Sequence, residues 1–215
     1  MTEEEWLKDT QPKKMLGFVR GKYSRRKFLL FSCAGCRRVW DRMTDVRSRH
    51  AVETAERVAD GLASEEEVEW ARDGAALARL PQYIDRSEPL DYRPSWAAYA
   101  CIGDSAFAVN DLLLANRLLA GRLRQAALNR DIFGNPFRSV SVDPAWLTED
   151  AVSLAQAAYY QRVLPAGEMD LDRLAVQSDA LEEAGCDDPI ILDHLRGPGP
   201  HVRGCWVIDL LLGKV

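Results

Sequence analysis

The sequence predicts an all-α fold: a compact multi-helix domain of about eight to nine helices, with a long central helix and a buried C-terminal helix. Three observations carry this. Capping residues followed by apolar residues at helical spacing recur along the whole 215-residue chain. Ala and Leu dominate the middle, where strand-forming residues are few. Only "FRSVSV", residues 137–142, has a strand-like pattern.

Each element has its own justification. Thr2 caps a short helix carrying Trp6 and Leu7, and Pro12 opens a second with Met15, Leu16, Phe18 and Val19. Ser24 caps a segment over roughly residues 25–43, and Thr44 caps "DVRSRHAVETAERVAD", which closes at Gly61. Ser64 and Glu67 have capping-box spacing, and Glu65–Glu67 suit the positive end of the helix they begin. The stretch from Leu80 to Pro94 reads as a connector because it holds Pro81, Pro89 and Pro94.

From Ser95 to about Arg130 the pattern is one long helix, or two in line with a break at Gly103 and Asp104. An irregular segment follows, turning at Gly134-Asn135-Pro136. Thr148 opens the next helix, Asp170 or Asp172 another that ends at Gly185, and Pro189 a short one through Leu195. Pro200 then starts a C-terminal helical segment, apolar nearly all round through Trp206, Val207, Ile208 and Leu210–Leu212. The expected organisation is a single domain over 1–215, with a subdivision into 1–80 and 94–215 as the alternative.

Composition narrows the class. With 47% apolar and 28% charged residues the chain has enough core material to fold without staples. Five cysteines are an odd number, and "MTEEEW" is acidic with no apolar stretch behind it. Both point to a cytosolic protein with reduced thiols. The longest apolar stretches are too short to span a bilayer, so no membrane is expected. The net charge of −5 hides a split. Between Lys13 and His50 there are 12 Lys or Arg against Asp41 and Asp45, while the rest holds 16 basic and 31 acidic residues.

The most chemical-looking stretch is "KFLLFSCAGCRRVW", residues 27–40. At helical spacing Phe28, Leu29, Ser32, Cys33, Cys36, Val39, Trp40 and Met43 share an arc of about 140°. Lys27, Arg37, Arg38 and Arg42 fall on the other side. Both cysteines therefore go with the apolar stripe, where burial raises a thiol's pKa and works against a redox role. A zinc site needs four donors. His201 and Cys205, four apart on a helix, would supply two, and Cys33 and Cys36 two more; Cys186 and His194 are looser candidates. The reading adopted is that no metal and no cofactor bind, that His201 hydrogen-bonds near the Gly-Pro-Gly-Pro turn, and that Cys205 packs in the core.

Other signatures fail. "RGPGPHVRG", residues 196–204, cannot cradle a phosphate because Pro198 and Pro200 lack N–H donors. There is no Gly-x-Ser-x-Gly and no His-Glu-x-x-His, and the histidines number three, His50, His194 and His201.

The blocks "EEEWLKDTQPKKMLGFVRGK", "LTEDAVSLAQAAYYQR", "DALEEAGC" and "HLRGPGPHVRGCWVIDLLLGK" resemble a family of uncharacterised bacterial proteins, often present as many paralogues in one genome. The same blocks occur there in the same order around an Ala-rich middle of variable length. The resemblance implies no activity and assigns no functional residues.

The sequence thus favours a non-enzymatic helical module that binds a protein partner or self-associates, with Arg25, Arg26, Arg37, Arg38 and Arg42 as the partner-binding residues. One alternative is a nucleic-acid-binding protein using the basic 13–50 region. A second is a small metalloprotein built on Cys33, Cys36, His201 and Cys205.

Overall fold

The computed structural model describes residues 1–84, 93–103 and 122–214. Among these the chain is all-helical with no strand, forming eleven α-helices and two short 3₁₀ turns. It divides into two units: residues 1–22 with 126–215, and residues 23–125. The N-terminal 22 residues therefore group with the C-terminal part.

The second unit holds α3 (Arg25–Arg37), α4 (Val46–Ala59), α5 (Glu65–Ile84) and α6 (Arg93–Ile102). Asp45, not Thr44, caps α4 by accepting the Arg47 N–H. The Ser64–Glu67 box forms as its spacing predicts, each side chain accepting the other residue's N–H. Its core is built largely from small side chains: Cys33 and Cys36 of α3, Ala51, Val52 and Ala55 of α4, Ala71 and Ala75 of α5, and Ala97, Ala98 and Cys101 of α6. Small residues at these positions let the helix axes approach closely.

Helix α3 stops at Arg37, earlier than expected. Val39 and Arg42 donate to carbonyls three residues back, so the chain tightens into a 3₁₀ turn over Trp40–Arg42. Helix α5, by contrast, runs through Pro81 to Ile84, where the sequence suggested a connector. Pro94 then lies in the first turn of α6, which needs no N–H from it. The break expected at Gly103 falls at the end of α6. Asp104 and the body of the expected long central helix lie outside the described residues.

The first unit holds α1 (Glu3–Lys8), α2 (Pro12–Val19), α7 (Arg122–Phe133, from Ala126 onward), α8 (Glu149–Tyr160), α9 (Leu171–Glu183), α10 (Pro189–Arg196) and α11 (Trp206–Leu211). Thr2 and Glu5 cap α1 reciprocally. The N-terminal helices are tied to the residues around α7. Fully buried Trp6 donates its indole N–H to the Gly134 carbonyl at 2.9 Å, and Arg130 donates to the carbonyls of Trp6 and Asp9. Phe18 stacks on Phe137 with ring centres 5.0 Å apart.

A second core joins Ala151, Ala155 and Tyr159 of α8, Leu174 and Leu181 of α9, Ile191 and Leu195 of α10, and Val207, Ile208 and Leu211 of α11. The C-terminal helix is thus buried as predicted, but it is short. "FRSVSV" is not a strand: Val140 and Val142 pack on this core from irregular backbone. Among the described residues the only β-type pairings are isolated bridges, Val163 with Glu168 and Glu168 with Val202. No helix among the described residues is long and apolar enough to cross a membrane.

Candidate metal centre

Four side chains of the first unit converge on one point. Asp131, His194, His201 and Cys205 each aim a donor atom inward, and these atoms lie within 4.8 Å of one another. Each comes from a different local structure. Asp131 sits in the last turn of α7 and His194 in the last turn of α10. Asp188 and Pro189 start α10, and Ile191, Leu192 and Leu195 anchor its buried face, which fixes the direction of His194. His201 lies in the loop between α10 and α11, and Cys205 is the N-cap of α11.

The segment from His201 to Gly204 is not helical, although the sequence pattern suggested a helix from Pro200. Its backbone is committed elsewhere. The Val202 N–H donates to Asp131 Oδ2 at 2.9 Å, the His201 carbonyl accepts the Met169 N–H at 2.7 Å, and the Val202 carbonyl accepts the Cys205 N–H. Gly199 makes the loop possible. Its φ is +78°, and a Cβ there would stand 2.9 Å from the His201 nitrogen.

The polar geometry is unusual for a proton-only network. Asp131 Oδ1 lies 2.9 Å from His201 Nδ1 and 3.3 Å from His194 Nε2, and the Cys205 thiol also hydrogen-bonds to this carboxylate. His194 Nε2 is at the same time 3.2 Å from Cys205 Sγ. One carboxylate thus gathers two imidazole nitrogens, a thiol and a backbone N–H, which fills its roughly four lone pairs. His201 Nε2 faces the Gly197 carbonyl at 3.2 Å and Nδ1 faces Asp131 Oδ1 at 2.9 Å, so with Nε2–H donating to the carbonyl a cation would take the place of the Nδ1 proton. That is how a metal-bound imidazole is usually held. Backbone N–H groups of Val207 and Ile208 point at the Cys205 sulfur and favour its thiolate.

Electrostatics agree. Burial pushes the Asp131 carboxyl up, but hydrogen bonds from His194 and His201 more than reverse this and hold it at about 2. Burial alone would lower His201, and the bond to Asp131 raises it. Burial and then the Asp131 charge push the Cys205 thiol well up. A cation inverts that last effect, since a thiol that coordinates a metal gives up its proton. Zinc bonds of about 2.0–2.3 Å in a tetrahedron set donors roughly 3.3–3.8 Å apart. The short distances of 2.9, 3.2 and 3.3 Å would open by a few tenths of an ångström, and the widest separation, up to 4.8 Å, would close by about 1 Å.

His201 and Cys205 are thus brought together, as the sequence considered, and His201 does bond near the Gly-Pro turn. Their companions are Asp131 and His194; Cys33 and Cys36 belong to the second unit. Cys186 is buried and lies outside the group. The sequence signal for Asp131 was a carboxylate in the last turn of a helix, against the helix's negative end and beside Ile132 and Phe133.

The expected partner-binding arginines do not form one solvated face. Arg37 is 5% exposed and bound through two hydrogen bonds to Glu56, so its placement on the outer face is corrected. Lys27, also expected outside, is buried. Arg26 is half-buried against Asp60 and Arg38 is half-buried, while Arg25 and Arg42 are exposed. Comparison with known proteins found no matching family model, curated protein or solved structure.

Proposed function

We propose that the chain is a helical metalloprotein whose first unit is held by a zinc ion on Asp131, His194, His201 and Cys205. The observation that carries this reading is the convergence of four donor atoms of different type within 4.8 Å in an otherwise apolar core. One carboxylate, two imidazoles and one thiolate match zinc better than calcium or magnesium, which take oxygen donors. Four protein donors, three of them buried and His194 half-buried, make a closed site. Closed sites are structural: the ion ties α7, α10, the 197–204 loop and α11 together.

The test is zinc content. Protein purified without added metal is expected to hold about one zinc per chain, and cobalt exchanged into it should give the absorption of a tetrahedral thiolate complex. Cys205→Ser should lose the ion and lower the unfolding midpoint. A metal-free protein that gains no stability from added zinc would overturn the reading.

The interaction role expected from the sequence stands beside this as a second proposal. It is supported by the exposed Tyr160 at the end of α8, Val163 and Leu164 just beyond it, and Leu171 at the start of α9. The four sequence blocks that resemble the bacterial family all fall in the first unit, together with the zinc ligands His194, His201 and Cys205. The nucleic-acid alternative is less well supported, since Arg37 and Arg26 of the basic region face Glu56 and Asp60.

A further inference from the structure

Three cysteine sulfurs meet inside the second unit. Cys33 and Cys36, three apart on α3, share its buried face, and Cys101 comes from the last turn of α6. Cys33 Sγ lies 3.5 Å from Cys101 Sγ, and Cys101 also hydrogen-bonds with Cys36. All three are at most 2% exposed and sit among Val52, Ala55, Ala97 and Ala98. Three buried sulfurs from two helices, with Cys101 as the common neighbour of Cys33 and Cys36, could supply the donor set of a trigonal thiolate site.

Charge selects what such a site takes. Three thiolates around a monovalent copper ion leave a cluster with two negative charges, and around zinc one. Around a trivalent centre the cluster is neutral. The guanidinium nearest Cys33 is that of Arg37, which is already engaged by Glu56. An apolar core accepts a neutral cluster far more readily than a charged one.

We propose that Cys33, Cys36 and Cys101 form a binding site for a trivalent thiophilic metalloid of the arsenite class. The chemistry balances without a redox partner. Arsenous acid, As(OH)₃, exchanges its three As–O bonds for three As–S bonds, and each thiol proton leaves with a hydroxyl as water. Arsenic stays trivalent throughout. Burial raises the Cys33 thiol, and hydrogen bonds to Cys33 and Cys36 followed by burial raise Cys101, so these two favour the neutral thiol that the exchange consumes. Disulfide formation would need an oxidant and a reactive thiolate, and buried thiols of this kind are slow to react. Entry requires local opening between α3 and α6, so uptake should be slow.

The experiment titrates the full-length reduced chain with sodium arsenite and reads the adduct by intact mass and the arsenic neighbours by X-ray absorption. The expected result is one arsenic per chain with three sulfur neighbours. Cys101→Ala should weaken binding by roughly a hundredfold or more, the scale of losing one of several linked contacts. Cys33→Ala should behave alike, with circular dichroism checking that each variant is folded, while Cys186→Ala, outside both clusters, should bind as the parent does. The readout is arsenic on sulfur in the second unit and does not depend on the zinc reading, whose donors all lie in the first unit. No adduct, an adduct that persists in both Cys33→Ala and Cys101→Ala, or three-sulfur binding of copper or zinc but not arsenite would each overturn the proposal.

Discussion

Arg37 and Glu56 lie edge to edge inside the second unit, with Nε donating to Oε1 at 2.8 Å and Nη2 to Oε2 at 2.9 Å. The guanidinium also covers the Trp40 ring, 4.5 Å from its centre. A two-point pair of this kind fixes orientation as well as charge. It ties α3 to α4 at the point where α3 gives way to a 3₁₀ turn.

Breaking that pair from one side leaves a buried charge without its counter-ion. Glu56→Ala or Arg37→Ala should each cost about 3–5 kcal/mol of unfolding free energy in urea titration. The paired replacement Arg37→Met with Glu56→Leu should recover most of the loss, because both desolvation penalties vanish together. Equal stability of wild type and the single variants would show that the pair is not sealed from water.

At the metal centre, Asp131→Asn keeps the shape and removes the charge. Zinc affinity measured by competition with a chromophoric chelator should fall by roughly a hundredfold, at the upper end of what altered ligand surroundings produce. Gly199→Ala tests the same centre through the backbone. Its φ of +78° and the 2.9 Å approach to the His201 nitrogen would displace the His201 loop. Lower zinc affinity with α-helical content unchanged is the expected outcome.

Trp6→Ala removes the largest fully buried side chain of the first unit together with its bond to Gly134. Large-to-small changes of this type cost about 3–5 kcal/mol. Gly134→Ala approaches the same region from the other side: φ is +62°, and the new Cβ would meet the Trp206 ring at 3.1 Å. Both should lower the thermal midpoint, and a neutral result for Trp6→Ala would remove the N-terminal helices from the cooperative core.

All five cysteines are free and buried. A thiol reagent added to native, reduced protein should therefore react slowly at every site and quickly after denaturation. Rapid labelling of Cys33 and Cys36 without denaturant would contradict their placement on the inner face of α3.

The basic 13–50 region should bind neither duplex DNA nor single-stranded RNA in the micromolar range at physiological salt. Phosphate binding draws on cations able to release counter-ions, and Arg37, Arg26 and Arg47 are each held by a carboxylate. A salt-sensitive micromolar shift in gel or anisotropy assays would reverse this expectation.

Local chemistry was legible where it is local. The Thr2 and Ser64 caps, Pro189 opening α10, and both cysteines on the buried stripe of α3 follow from spacing, because each depends on residues within a turn or two. Helix ends were less legible. Pro81 was read as a stop but is carried inside α5, and Arg37 was read as solvated but turns inward to a partner on α4. The centre itself was half legible: His201 and Cys205 were weighed as ligands on a helix they do not form. Asp131 could not be paired with them, since what brings it there is the packing of α7, to which no nearby residue in the chain testifies.

Consider, finally, the order in which the chain leaves the ribosome. Trp6 emerges early, yet its hydrogen-bond partner Gly134 is 128 residues downstream. The second unit, Tyr23–Gln125, is synthesised whole in between. The first unit must wait, and its last ligand, Cys205, appears after all the others. Zinc capture would then close the sequence of events, so that metal supply becomes a checkpoint on completed synthesis, and a chain truncated before Cys205 would lack both the last donor and the buried helix α11.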